Sequence, residues 1–139
     1  MGFTVYYRTT QPVAPAKAEA IRQAATITNA GRTWLSCEPV VFFTSTSEGH
    51  LRGGSKPNFQ PDPEDAASAA RSGQLDGTTR DMLEVLCQLS RDHGVDWALS
   101  HDHDPHIGYI RAGICDEKVM EQIEAFADLG DILGELDLM

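Results

Sequence analysis

The sequence predicts an α+β fold: a mixed sheet of four to five strands with helices packed mainly on one face, a ferredoxin-like variant being one candidate topology. Three observations predict it. Phe3 to Thr9 alternates apolar and polar residues with period two. Thr78 to Gly94 carries an apolar helical stripe between a capping box and a glycine stop. Val95 to Cys115 reads as two strands joined by a short polar turn, and a helix follows. At 139 residues the chain fits one domain over 1–139, interrupted by a long loop at 44–62.

In the first strand Phe3, Val5 and Tyr7 face a core, with Thr4, Tyr6 and Arg8 opposite. Pro15 suits the first turn of a helix that runs through Ala16 to Asn29, with Ala14, Ala18, Ile21, Ala25 and Thr28 on one stripe. Gly31 stands where a left-handed cap is wanted, and the first strand, helix and next strand form a candidate right-handed crossover. Trp34 to Cys37 and Val40 to Phe43 are strand-like, broken by Glu38-Pro39; the second run is apolar on successive residues, which predicts burial on both faces.

Thr44 to Asp62 is dominated by Ser, Thr, Gly and Pro, and loops this long are usually functional or mobile. A short helix is expected from Pro63 to Ala70, ending at Gly73. Thr78-Thr79-Arg80-Asp81 is a capping box with Asp in place of the usual Glu. Met82, Leu83, Leu86, Cys87, Leu89 and Ser90 then form one face, and Gly94 caps the end. Val95, Trp97 and Leu99 alternate into a strand. Ile107 to Cys115 forms the next, with Ile107 and Tyr109 on one face and Ile110, Ala112 and Ile114 on the other. Asp116 can cap a last helix with Val119, Met120, Ile123, Phe126 and Ala127 on its stripe, and 128–139 is an acidic, Leu-rich tail.

Composition narrows the classes. A net charge of -10 argues against sequence-independent binding to nucleic acid or to anionic lipid, both of which reward basic patches. The same charge suits a basic protein partner, and an oligomer is a further expectation. No apolar run is long enough to span a membrane, and the first residues do not read as a secretory leader. Three cysteines, odd in number and far apart, favour free thiols in a reducing cytoplasm.

Two constellations carry candidate chemistry. His101-Asp102-His103-Asp104-Pro105-His106 holds three of the five histidines. If His101 continues the strand, His101 and His103 project to one side and can chelate one divalent ion such as zinc, with His106 or Asp104 as a third ligand and His50 as a partner from the long loop. The run resembles the His-x-His-x-Asp-His signature of metallo-β-lactamases. It departs from it at Pro105, where the signature has Asp, and no histidine follows His106, so that family is rejected. The plain alternative is a solvated Asp-Pro turn. The second constellation is Gly49 to Lys56, which approaches a phosphate loop. Ser55 and Lys56 are exchanged relative to that pattern, and Pro57 blocks the helix it needs. What survives is a small-anion site from Arg52, Gly53, Gly54 and Lys56. Tyr6 and Arg8, on the non-core side of the first strand, would line a groove if no helix covers that face.

These readings point to a small acidic cytoplasmic binding or interaction module, its ligand left open, working through 44–62 and 101–106. One alternative is a small metal-dependent enzyme built on the histidine cluster. Another is an inhibitor or immunity-type protein that sets its acidic charge against a basic target.

Overall fold

Alternation in the first strand decides the architecture. In the computed structural model, which describes residues 4–43, 49–57, 63–73, 75–102 and 104–122, β1 (Val5–Thr9) buries Val5, Tyr7 and Thr9 and exposes Tyr6 and Arg8. It lies inside a five-stranded sheet with β3 (Arg52–Ser55), β5 (Trp97–His101), β6 (Asp104–Arg111) and β7 (Ile114–Cys115), in the order β3-β1-β5-β6-β7. Every pair in this sheet is antiparallel. The expected α+β class therefore holds, but the main sheet is not mixed. The parallel pairing of a ferredoxin-like arrangement is missing from it; parallel pairing is confined to the separate couple β2 (Arg32–Thr33) and β4 (Leu75–Asp76).

The helices are α1 (Pro15–Asn29), α2 (Pro63–Ser72) and α3 (Thr79–His93), with a further helical turn over 117–122. α1 packs on α3, and α3 packs on β6 and β7. The core between them contains Tyr7, Ile21, Leu83, Leu86, Trp97, Leu99 and Ile110, each at most 1% exposed. α3 forms as its sequence dictates. Thr78 accepts from Asp81 N–H while Asp81 accepts from Thr78 N–H, and Gly94 closes the helix at φ 65°. α1 begins with its proline at the first turn, but it ends through Ala30 at φ -64°, so the left-handed cap expected at Gly31 does not form.

Three other expectations change. Residues 34–37 and 40–43 form no regular strand. They touch the sheet through the isolated bridges Cys37–Pro57 and Phe42–Gly53, and Val41 and Phe43 are exposed, so the second run is not buried on both faces. The stretch read as one loop over 44–62 contains β3. The strand from Ile107 breaks at Ala112 and Gly113, both at positive φ, where a two-residue turn starts β7.

The strand β6 begins earlier than expected, at Asp104, and pairs there with His101. Between the pairs His101–Asp104 and Leu99–Gly108 its register slips. Pro105, which has no N–H to give a ladder, falls in that bulge. The slip lets Ile107 and Ile110 both reach the core, and Gly108, at φ 146°, absorbs the backbone cost. The apolar positions expected at Ile123, Phe126 and Ala127, and the acidic tail, lie outside the described residues.

Candidate functional site

The face of the sheet opposite the core carries a concavity of about 390 Å³, within the usual range for small-ligand sites. Strand register builds it. One row across the sheet reads Arg52, Arg8, Ala98, Tyr109; the neighbouring row reads Gly54, Tyr6, Ser100. The floor along β5 is therefore small, with Ala98 and Ser100 between taller walls from β1 and β6. Phe43, Pro105 and His106 close the rim.

Each wall residue has a local reason to be there. The Tyr6 ring lies over Gly54, where a Cβ would sit 3.1 Å from Tyr6 Cδ1. The Tyr109 ring meets His106 edge-on at 4.9 Å and has the Arg111 guanidinium 4.0 Å from its centroid. Phe43 is brought to the rim by a hydroxyl network at the sheet edge. Tyr7 OH accepts from Val41 N–H and lies 2.9 Å from Ser55 Oγ, which donates to Pro39 O at 2.8 Å. Burial pushes the Tyr7 phenol well above its ordinary pKa, so it serves as a neutral hydrogen-bonding pin.

Electrostatically the face is cationic on an acidic protein. Arg8 and Arg52 are directly opposed across strands, and both are exposed. The ion pairs Arg22–Glu19 and Arg32–Asp81 lie elsewhere, and among the described residues none involves Arg8, Arg52 or Arg111. The nearest acidic position in the register is Asp96, just before β5, and its carboxylate accepts from Ala112 N–H at 3.4 Å. Like charges set opposite each other cost stability.

The sequence-derived anion set is divided by this geometry. Arg52 belongs to the cationic row. Gly53 and Gly54 stand in β3, not in an open loop, so their N–H groups do not form a free cradle of the phosphate-loop kind. Gly53 is required sterically, because a Cβ there would run into Val41 O. Lys56 follows the strand at its far end, where its N–H donates to Glu38 Oε1 at 2.8 Å.

The metal set is not drawn together among the described residues. His101 is buried on the core side, with Nε2 3.1 Å from Gln122 Oε1. His106 is exposed and leans on Tyr109. Asp104 Oδ1 accepts from His106 N–H at 2.9 Å, and that bond is the main reason its carboxyl is held below the ordinary value. His50 Nδ1 donates to Thr9 O at 2.8 Å. Thr9 pairs with Trp97, four residues from His101 and so roughly 13 Å along the strand. No group of three His, Cys, Asp or Glu side chains able to hold one ion occurs among the described residues. His103 lies outside them.

The sequence reading singled out Tyr6, Arg8 and Arg52 but missed Tyr109, Arg111, Ala98 and Ser100. The alternation of β5 was the available signal for the last two. Compared with family models and with curated proteins, the sequence matches none. The molecule is thus characterised by its own geometry: an α+β protein with one sheet face under helices and the other bearing an arginine-rich concavity. No helix among the described residues is long and apolar enough to cross a membrane.

Proposed function

We propose that this protein is a binding module whose working surface is the sheet face opposite the core, which no described helix covers, and that its ligand is a small anion. The observation that carries this reading is the opposition of Arg8 and Arg52 without an acidic partner among the described residues. A fold that sets two arginines directly opposite each other across neighbouring strands, at a cost in stability, gains from an anion that bridges them. The concavity beside them supports a ligand of limited size. The parts of 44–62 and 101–106 that line it, Arg52, Gly53, Pro105 and His106, are the regions the sequence nominated. A cytoplasmic setting is part of the proposal, supported by the free thiols of Cys87 and Cys115.

The test is a titration of the ¹⁵N-labelled protein with pyrophosphate at low ionic strength. Saturable amide shifts confined to β1, β3, β5 and β6, lost in an Arg8→Gln/Arg52→Gln variant, are expected. Shifts that never saturate, or that persist in the variant, would refute the reading. Binding that weakens as salt rises follows from the exposure of both arginines.

A further inference from the structure

The geometry points to an aromatic phosphate, a mononucleotide or a close analogue, as the ligand class of the sheet face opposite the core; this rests on the anion reading above and adds the ring. The argument starts from the floor. Ala98 and Ser100 on β5 lie between β1 and β6, so the walls stand two strand spacings apart, about 9.6 Å. A flat ring stacked between two aromatic walls needs about 7 Å between them, taking one ring thickness on each side at contact distance. A slot floored by small residues therefore admits one planar group on edge, where Leu or Phe at Ala98 or Ser100 would fill it.

The slot is chemically polarised along its length. Arg8, with Arg52 opposite, is level with Ala98. Tyr6 is level with Ser100, and His106 lines the opposite rim. A phosphate placed on the arginine row takes charge-assisted bonds from two guanidinium groups. The ring attached to it then falls at the level of Tyr6, with His106 on the opposite rim and the Ser100 hydroxyl beneath to donate to or accept from its edge, while Tyr109, level with Arg8, meets His106 edge-on. Stacking of a base on aromatic side chains tolerates many ring types, so the geometry selects the class and not the individual base. The cavity of about 390 Å³ suits a mononucleotide and not an extended strand, and a net charge of -10 further disfavours a polyanion.

The experiment compares adenosine 5′-monophosphate, pyrophosphate, adenosine and a ten-residue oligothymidylate by calorimetry on the full chain. Adenosine 5′-monophosphate is expected to bind at least tenfold more tightly than pyrophosphate, equivalent to about 1.4 kcal/mol. Adenosine alone is expected to bind more weakly than either. Tyr6→Leu should remove the tenfold advantage of the nucleotide over pyrophosphate. Equal affinity for pyrophosphate and the nucleotide would overturn the aromatic ligand while leaving the anion site standing. An oligonucleotide that outbinds the mononucleotide would overturn the small-ligand assignment. Absence of binding by every probe would remove both this inference and the reading beneath it.

Discussion

Trp97→Phe is the sharpest single test of how the sheet is held beneath its open face. Trp97 is fully buried on β5, between the floor residues' neighbours, and its ring stacks on Phe42 at 5.6 Å and meets Tyr7 edge-on at 6.1 Å. Its Nε1–H donates to Leu86 O of α3 at 3.0 Å, which ties the helix layer to the sheet. Replacing indole with phenyl removes that bond, about 1 kcal/mol. It also withdraws roughly 40 Å² of buried apolar surface at about 25 cal/mol per Å², another ~1 kcal/mol. The gap left behind, roughly 40 Å³ at about 24 cal/mol per Å³, adds ~1 kcal/mol. The expected loss is about 3 kcal/mol, a large share of the roughly 5–15 kcal/mol that holds a domain together. Trp34→Phe is the control. Trp34 is only partly buried, and its Nε1–H donates to Asn29 O at 2.9 Å, so about 1 kcal/mol is expected. Urea unfolding followed by far-ultraviolet circular dichroism reads both variants without relying on tryptophan emission. A Trp97→Phe cost below about 1 kcal/mol, or one equal to that of Trp34→Phe, would refute the assignment of Trp97 as the tie between layers.

Three further outcomes are expected. Gly108→Ala should cost about 2–3 kcal/mol, because Gly108 is at φ 146° and a Cβ would stand 2.6 Å from Val119 Cγ2 and 3.1 Å from Asp116 Oδ2; an unchanged urea midpoint would contradict it. Burial is the main cause that raises both the Cys87 and Cys115 thiols, the latter to about 12, so both should alkylate far more slowly with iodoacetamide at pH 7.5 than in urea, as read by mass spectrometry. The lowered Asp104 carboxyl, held mainly by the His106 N–H, contributes stability that is present above its unfolded value of 3.8 and is lost as pH falls through the lower folded value. Asp104→Asn should therefore flatten the acid limb of the urea midpoint below about pH 4, and a limb of unchanged slope would count against that bond.

Local signals made the helices and most strands legible. The α3 capping box, its apolar stripe and its Gly94 stop all sit within one short window, and each acts through neighbours a few residues away. The strand β3 was not legible, because Arg52-Gly53-Gly54-Ser55 has the composition of a loop. It is a strand because Gly53 lets Val41 and Tyr7 approach the backbone where any side chain would collide, and that need arises only once distant segments are assembled. The register slip in β6 is similar. Pro105 signalled a turn, yet the chain keeps it within the strand by bulging and shifts the slack to Gly108.

The cationic face shows why whole-chain charge is a poor guide to a partner. The sum of -10 invites a basic target, but charge acts over about 8–10 Å at ordinary ionic strength, so a ligand meets the local set and not the sum. On the open face that set includes Arg8, Arg52 and Arg111, with Asp96 engaged by the backbone N–H of Ala112 and Asp102 by that of Thr4. Other acidic side chains stand on the helices, among them Glu64 and Asp65 of α2 and Asp81 of α3, which pairs with Arg32. A small anion would be drawn to the sheet while the surrounding negative field turns longer polyanions away, so the same acidic excess that hides the arginine pair in the composition also narrows what that pair can hold.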